Sequence, residues 1–505
     1  MPRMLPERVD VAIVGAGFGG LGLAIQMKRH GQEDFVVIER SEDVGGTWNS
    51  NTYPGAQCDI PSNLYSWSFA LKPDWTRAYP ERDEIHGYFR DCVKHFGVGG
   101  HIHLQTALED AEWREDHWDI ETSRGPLEAR VLVAAPGLLS EPSIPDLPGL
   151  HGFEGRSFHT ARWDHDHDLT GRDVAVVGTG ATAIQIVPRI KDQVRKLTVF
   201  QRTPPWVVFS LDRKVSKLAH WLYPRVPGFQ RATRTGMWAA LEPLALGMTR
   251  WPFLLKGHEL ASRIMMRAQV SDPALRKRLV PDYPLGCKRM LLSNEWYRAL
   301  DEPNVELVTE GVEEVRARSV IAADGSEHPA DTIVFATGFT PTDPPIARRL
   351  RGRAGHTLSD VWQGSPQSYL ATTVAGFPNL FLLYGPNSNL GHNSIVYMLE
   401  SQMNYVMGAL KAMRVRGHNA LEVRPEVQDA FNEEMQSRLA RSVWDAGGCG
   451  SWYLDANGRD STMWPGFTYE FHKRTRVFDL DSYVEPPVVS RTADATLAGS
   501  SNIAT

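Results

Sequence analysis

Cysteine is scarce in this chain. Four occur in 505 residues (Cys58, Cys92, Cys287 and Cys449), far apart and with no CxxC pair. That spacing argues against a disulfide framework, a zinc site or a redox-active dithiol, and so against a disulfide reductase. No metal is expected, and a reducing, cytoplasmic setting is the default. A strong charge of either sign is also missing. The net charge is −6 and is spread along the chain, so no nucleic-acid partner is expected. The N-terminus, MPRMLPERVD, lacks the apolar core of a signal peptide. Long hydrophobic runs are lacking but for one segment, Gly236–Leu255, in which only Glu242 and Arg250 are charged. Those charges, with Pro243 and Pro252, work against a spanning helix. The segment is read as a buried helical insertion. The alternative is the wall of an apolar substrate tunnel that also touches a membrane surface, so membrane contact is not favoured.

Glycine, by contrast, is placed in order. The apolar run Val9–Val14 leads into Gly15-Ala16-Gly17-Phe18-Gly19-Gly20 and then a helix-like stretch. In this strand, G-x-G-x-x-G, helix pattern, Gly15 permits the tight turn and Gly17 lets the backbone approach a pyrophosphate. Gly20 allows close helix–strand packing, and the helix N-terminus faces the phosphates. The next strand, Phe35–Ile38, ends at Glu39, 24 residues after Gly15. A second unit repeats the design: strand Asp173–Val177, then Gly178-Thr179-Gly180-Ala181-Thr182-Ala183, a helix, and a strand ending at Gln201-Arg202-Thr203. Arg202 lies 24 residues after Gly178. An acid suits a free ribose 2′-hydroxyl, and an arginine suits a 2′-phosphate. The offsets predict FAD in the first unit and NADPH, rather than NADH, in the second. A 505-residue chain with 15 tryptophans can bury the cores that two or three domains require.

Two further stretches carry family-like patterns. Phe153–Asp164 (FEGRSFHTARWD) matches F-x-G-x-x-x-H-x-x-x-W-[PD] at Phe153, Gly155, His159, Trp163 and Asp164. Gly45–Asp59 matches G-G-x-W-x4-Y-P-G-x3-D at Gly46, Trp48, Tyr53, Pro54, Gly55 and Asp59. Its glycines leave room for an isoalloxazine ring, and Gly46, Thr47 and Trp48 are placed against it. These patterns resemble the Baeyer–Villiger monooxygenases. The resemblance runs from about Val9 to Gly458 and is tightest at the Trp163-Asp164 ending, which the sister flavin-containing monooxygenases lack.

The resemblance implies an α/β fold of two Rossmann-like dinucleotide-binding domains with a helical insertion. The implied division is FAD domain 1–148 and 332–485, NADPH domain 149–210 and 276–331, insertion 211–275, and a disordered tail 486–505. The insertion would cap or line the substrate cavity. The strand near Asp331–Phe339 would return the chain to the first domain. The resemblance further implies that NADPH reduces FAD and that the reduced flavin captures O2 as a C4a-peroxide. One oxygen is then inserted beside the carbonyl of a hydrophobic ketone to give an ester or lactone, with some sulfoxidation. Lys288 would contact the 2′-phosphate, Arg289 would be catalytic with Asp59 orienting it, and Trp452 would order over the nicotinamide, although Asp455 replaces the usual glycine of that loop. His159 is read as fixing a hinge between domains, not as a base. Two other readings stay open: oxidation of N or S centres, and an NADPH oxidase without substrate turnover.

Overall fold

The computed structural model describes residues 4–485. The tail assigned to 486–505 lies outside the described residues.

The first unit is built on an eight-stranded sheet. Its parallel centre sets Arg8–Val14 between Phe35–Ile38 and Gly125–Ala134, in register from Val11↔Phe35 and Val11↔Val131. Leu380–Leu382 adds in parallel to the far end of Gly125–Ala134. An antiparallel flank, Leu108–Arg114 and His117–Thr122, extends the same sheet. Strands buried on both faces read as unbroken apolar runs, and FVVI at 35–38 is buried at every position. Helix Phe18–Arg29 packs on helix Ile395–Arg416. On that long helix Leu399, Met403, Val406, Leu410 and Met413, spaced at 4, 3, 4 and 3, are all essentially buried, as one apolar face requires.

The second unit is a five-stranded, wholly parallel sheet ordered Val305–Val308, Lys196–Phe200, Asp173–Val177, Thr332–Phe335, Arg156–His159. This corrects one expectation. Thr332–Phe335 does not return the chain to the first sheet; it pairs on both sides inside the second. TIVF is apolar at both faces and fully buried, and such a strand is most stable with a parallel neighbour on each edge. The chain crosses back only after Phe335. The signature stretch is likewise part of this unit: Arg156–His159 is its edge strand, with Phe335 opposite His159.

Between Lys196–Phe200 and Val305–Val308 the chain runs out through six α-helices, Lys217–Arg225, Phe229–Leu241, Leu244–Thr249, Lys256–Gln269, Pro273–Arg278 and Trp296–Leu300. The insertion is not buried throughout, as expected for 236–255: Trp251, Phe253 and Leu254 are exposed, whereas Met248 and Leu255 are core. Helix Phe229–Leu241 buries polar groups instead; Arg234 donates to the carbonyls of Asn63, Leu64 and Ser66 and pairs with Glu400.

The cysteine expectation is also corrected. Cys287 and Cys449, 162 residues apart, are joined by a disulfide. Sequence spacing hid this because the pairing is made by the fold: both residues belong to one buried cluster with Trp444, Tyr453 and Met463. Cys58 and Cys92 are free and buried.

Candidate active site

One cavity of about 840 Å³ runs between the two units. Its wall includes all but one of the catalytic and cofactor-binding residues expected from the sequence, and none of the signature residues Phe153, Gly155, His159, Trp163 and Asp164. Gly15, Gly17, Glu39, Gly46, Thr47, Trp48 and Asp59 line it from the first unit. Gly178, Gly180, Arg202, Thr203, Lys288 and Arg289 line it from the second, and Trp452 reaches it from the C-terminal loop. Gly20 is the exception. It lies under the glycine turn, where a Cβ would sit 1.9 Å from the Gly15 carbonyl oxygen; its smallness serves helix–strand packing and not contact with a ligand. No residue of 211–275 lines the cavity, so the insertion neither caps nor walls it; it stands one layer out. Glu242 accepts from Asn393 Nδ2 at 2.7 Å, and Asn393 is in the wall.

The two fingerprints are built alike in detail. Gly15 (φ +99°) abuts the Ala135 carbonyl and Gly178 (φ +109°) the Ala336 carbonyl, each at the end of the neighbouring strand. A Cβ would sit 2.4 Å and 2.6 Å from those oxygens, in a backbone region that L side chains rarely adopt. Glu39 Oε2 accepts from Ala16 N and Oε1 from Ser41 N, both at 2.8 Å. The carboxylate is thereby fixed in the wall, each oxygen keeping a lone pair for a hydroxyl. Across the cavity the equivalent position is cationic. Burial first, and the Arg202 charge second, hold Lys288 below the ordinary lysine value. Its ammonium sits over the Tyr283 ring, 5.0 Å from the centroid. Among the described residues neither Arg202 nor Lys288 has a carboxylate ion-pair partner; the Asp282 charge opposes the shift of Lys288 but ranks below that of Arg202.

Asp59 and Arg289 meet at the centre. Arg289 Nε donates to Asp59 Oδ2 at 3.0 Å, and Nη2 to Oδ1 at 2.8 Å and Oδ2 at 2.6 Å. Asp59's charge is the main reason that Arg289 is held above the ordinary arginine value; the guanidinium stays charged at any working pH. Among the described residues no hydrogen bond engages its Nη1. The residues come from loops 230 positions apart, and neither loop fixes the pair alone.

Other wall residues escaped the sequence reading. Tyr65 accepts from Trp48 Nε1 at 3.1 Å and so sets the indole's orientation. Tyr384 donates to Asn389 Oδ1 at 2.8 Å, and among the described residues the buried Asn389 Nδ2 has no hydrogen-bond partner. Burial pushes the Tyr384 phenol up to about 12, so it is a neutral donor. Gln185 ties the units together: its Oε1 accepts from Tyr53 OH at 2.9 Å and its Nε2 donates to the Gln57 carbonyl at 2.9 Å. A glutamine on a helix whose only other polar residue is Arg189 was the available signal for that last role. Asp455 stands where a glycine was expected and accepts from Asn457 N and Arg459 N at 3.0 Å each. The carboxylate builds the turn that follows Trp452. His159 is neutral at working pH, since burial lowers it to about 4. Its Nδ1 accepts from Ala161 N at 3.1 Å, and its ring packs edge-on against Phe339. It is a structural residue beside the cavity wall.

Known proteins resemble this chain over most of its length. A family model described as pyridine nucleotide-disulphide oxidoreductase matches residues 12–237. The chain is 47% identical over 480 residues to a Baeyer-Villiger monooxygenase of Streptomyces coelicolor, with 94% of this chain and 92% of that one covered. It is 44% identical over 480 residues to a Baeyer-Villiger monooxygenase of Pseudomonas aeruginosa, with 94% and 90% covered. Among solved structures, a closed form of cyclohexanone monooxygenase superposes with a TM-score of 0.84 at 28% identity, over 93% of this chain and 97% of that one. Steroid monooxygenase bound to NADP superposes with a TM-score of 0.82 at 29% identity, over the same shares. Identities of 47% and 44% over nine-tenths or more of each chain decide the family: the chain belongs to the Baeyer–Villiger monooxygenases, a family of flavin-dependent enzymes.

Proposed function

We propose that the protein uses FAD, NADPH and O2 to convert a hydrophobic ketone into an ester or lactone at the junction of the two units, with Arg289 as the catalytic residue. The wall fits the cofactors. The Gly15–Gly17 turn and Gly46 form a cradle free of side chains, Gly46 and Gly17 being close enough that a Cβ on the former would sit 3.1 Å from the latter's Cα. Glu39 is set to receive ribose hydroxyls, Trp48 to cover the ring system, and Arg202 with Lys288 to receive a phosphate. Asn389 Nδ2 is a buried donor with nothing to bond, and such a group calls for a polar partner. FAD, when bound, takes hydride from NADPH and passes the electrons to O2, supplying the activated oxygen.

The protein's own contribution rests on one observation: Asp59 occupies Nε and Nη2 of Arg289 and leaves Nη1 free. The bidentate grip fixes the plane of the guanidinium, and the free N–H points its charge at whatever shares the cavity. A ketone oxygen that gains negative charge during attack is stabilised there by a donor that is already oriented and cannot lose its proton. The cavity wall, which includes Tyr65, Leu390 and Leu399, keeps bulk water from the reacting oxygen.

Arg289→Ala is expected to retain flavin bleaching by NADPH under anaerobic conditions and to lose ester formation by about 10²–10³-fold or more, the scale for removing a charge-stabilising donor. Normal ester yield, followed by product mass with a panel of ketones, would remove Arg289 from the chemistry. A thioether in the same panel separates ketone oxygenation from S-oxidation.

A further inference from the structure

The described residues carry eighteen large apolar side chains that are exposed, and eleven of them fall within residues 209–264. Scattered single exposures are ordinary, but this concentration in one insertion is not. Its densest part is the turn Trp251–Leu254 and the helix after it. Trp251, Phe253 and Leu254 are 49%, 62% and 45% exposed. The next residue, Leu255, is buried against Gly247 and Gly286 and anchors the turn. Helix Lys256–Gln269 then turns Ser262 and Met266 inward, Ser262 donating to the Val207 carbonyl. Its outer face carries Lys256, Leu260, Ile264 and Arg267 at spacings of 4, 4 and 3, with both aliphatic residues more than half exposed.

Charge is sorted in the same segment. Residues 209–269 hold ten Lys and Arg against three Asp and Glu, a surplus of seven in a chain whose net charge is −6. The three acids are turned to internal work. Asp212 pairs with Arg77, Glu242 bonds Asn393 and Thr468, and Glu259 accepts from Leu285 N. Eight of the basic residues are exposed, and among the described residues none of these eight forms an ion pair. The outward-facing charge of the insertion is therefore entirely positive.

We propose that this face docks on the headgroup layer of an anionic lipid bilayer. Trp251, Phe253, Leu254, Leu260 and Ile264 enter the interfacial zone, and Arg250, Lys256 and Arg267 face the lipid phosphates. Aromatic and aliphatic side chains flanked by cations are what that layer accepts: apolar area is withdrawn from water while basic groups meet negative surface potential. Contact is peripheral, since among the described residues no helix is long and apolar enough to cross a membrane. A protein partner would need a complementary acidic and apolar surface. A second copy would bring the same surplus of positive charge against itself.

The test is flotation of the FAD-loaded full chain with vesicles, read without reference to oxygenation. With phosphatidylcholine vesicles containing about one-third phosphatidylglycerol the protein is expected to float, with partitioning about tenfold weaker on pure phosphatidylcholine and weakened again by high salt. Trp251→Ser with Phe253→Ser is expected to lower partitioning at least tenfold, and so, separately, is Lys256→Gln with Arg267→Gln. All four positions are exposed and outside the cavity wall, so circular dichroism and flavin content are expected to be unchanged. Absence of flotation by the native chain, partitioning indifferent to both double variants, or a lipid-free dimer that Trp251→Ser with Phe253→Ser dissociates in light scattering would each overturn the proposal.

Discussion

Arg202 and Lys288 repel one another, and that repulsion is informative. Two cations brought together in a cavity wall cost stability unless something negative joins them. Among the described residues neither cation has an ion-pair partner, Asp282 acting on Lys288 only as the weakest of its three influences, and a 2′-phosphate would supply two charges. Arg202→Ala is therefore expected to raise the KM for NADPH by about 10–100-fold, the scale of one charge-assisted hydrogen bond, and to leave the KM for NADH nearly unchanged. Equal changes for both cofactors would cancel the assignment. His159 gives a pH prediction. Its native value of about 4 lies below the ordinary 6.5 because burial disfavours the imidazolium. The neutral form is the one the fold accepts, so the contribution is whole above pH 6.5 and is lost as pH falls from 6.5 toward 4. The loss approaches about 3 kcal/mol at full protonation. His159→Asn is expected to flatten that part of a stability-versus-pH curve measured by urea unfolding; an unchanged slope would show that other groups set it. At this scale the sequence was readable wherever a residue's type was forced by a motif: the glycines, Glu39, Arg202, Asp59 and Arg289. It was silent on Tyr65, Gln185 and Asn389, whose roles come from partners 17, 132 and 5 residues away that only the fold brings into line.

Elements were legible in proportion to their periodicity. Strands Phe35–Ile38 and Asp173–Val177 stand where their apolar runs put them. Strand Thr332–Phe335 was given to the wrong sheet because pattern reveals that a strand is buried but not which neighbours bury it. The disulfide escaped for a related reason. It joins the segment just before Lys288-Arg289 to the loop just before Trp452, so the arginine proposed for catalysis and the aromatic at the cavity wall hang from one covalent post. Thiol titration of the denatured, unreduced chain is expected to find two free cysteines, and four after reduction. Cys449→Ser is expected to lower stability by about 2–4 kcal/mol, the usual range for removing such a link, and to loosen the Trp452 loop, seen as faster proteolysis near residue 450. Four titratable thiols before reduction would refute the link.

At the scale of the molecule, the cavity belongs to both units, so ligand binding and the coupling of the units are one process. A ligand that binds only the assembled form adds stability by mass action. Adding FAD to cofactor-stripped protein at 100 times its Kd is expected to add about 2.7 kcal/mol, measured as a rise in the midpoint of thermal unfolding. Loss of the rise in Gly15→Ala would place FAD at the first glycine turn; an equal rise there would not. The two-unit plan was visible in sequence because its two glycine turns are equally spaced from Glu39 and Arg202. The joint between the units was legible only in part: a return near Asp331–Phe339 was expected, but not that it pairs with the outward passage.

That joint is the pairing of two crossings. The chain leaves the first unit through residues 138–143 and returns through 337–340, and the two passages run antiparallel, with Pro142 opposite Phe339. Ser143 N donates to the Gly338 carbonyl at 2.9 Å, Thr340 N donates to the Glu141 carbonyl at 3.3 Å, and Thr337 Oγ1 bonds the Ser143 carbonyl. The two crossings are thus one element, and neither passage can shift without the other. With the Gln185 bonds to Tyr53 and Gln57 and the grip of Asp59 on Arg289, the units meet at three separate fastenings, so the two halves of the cavity are held in one register.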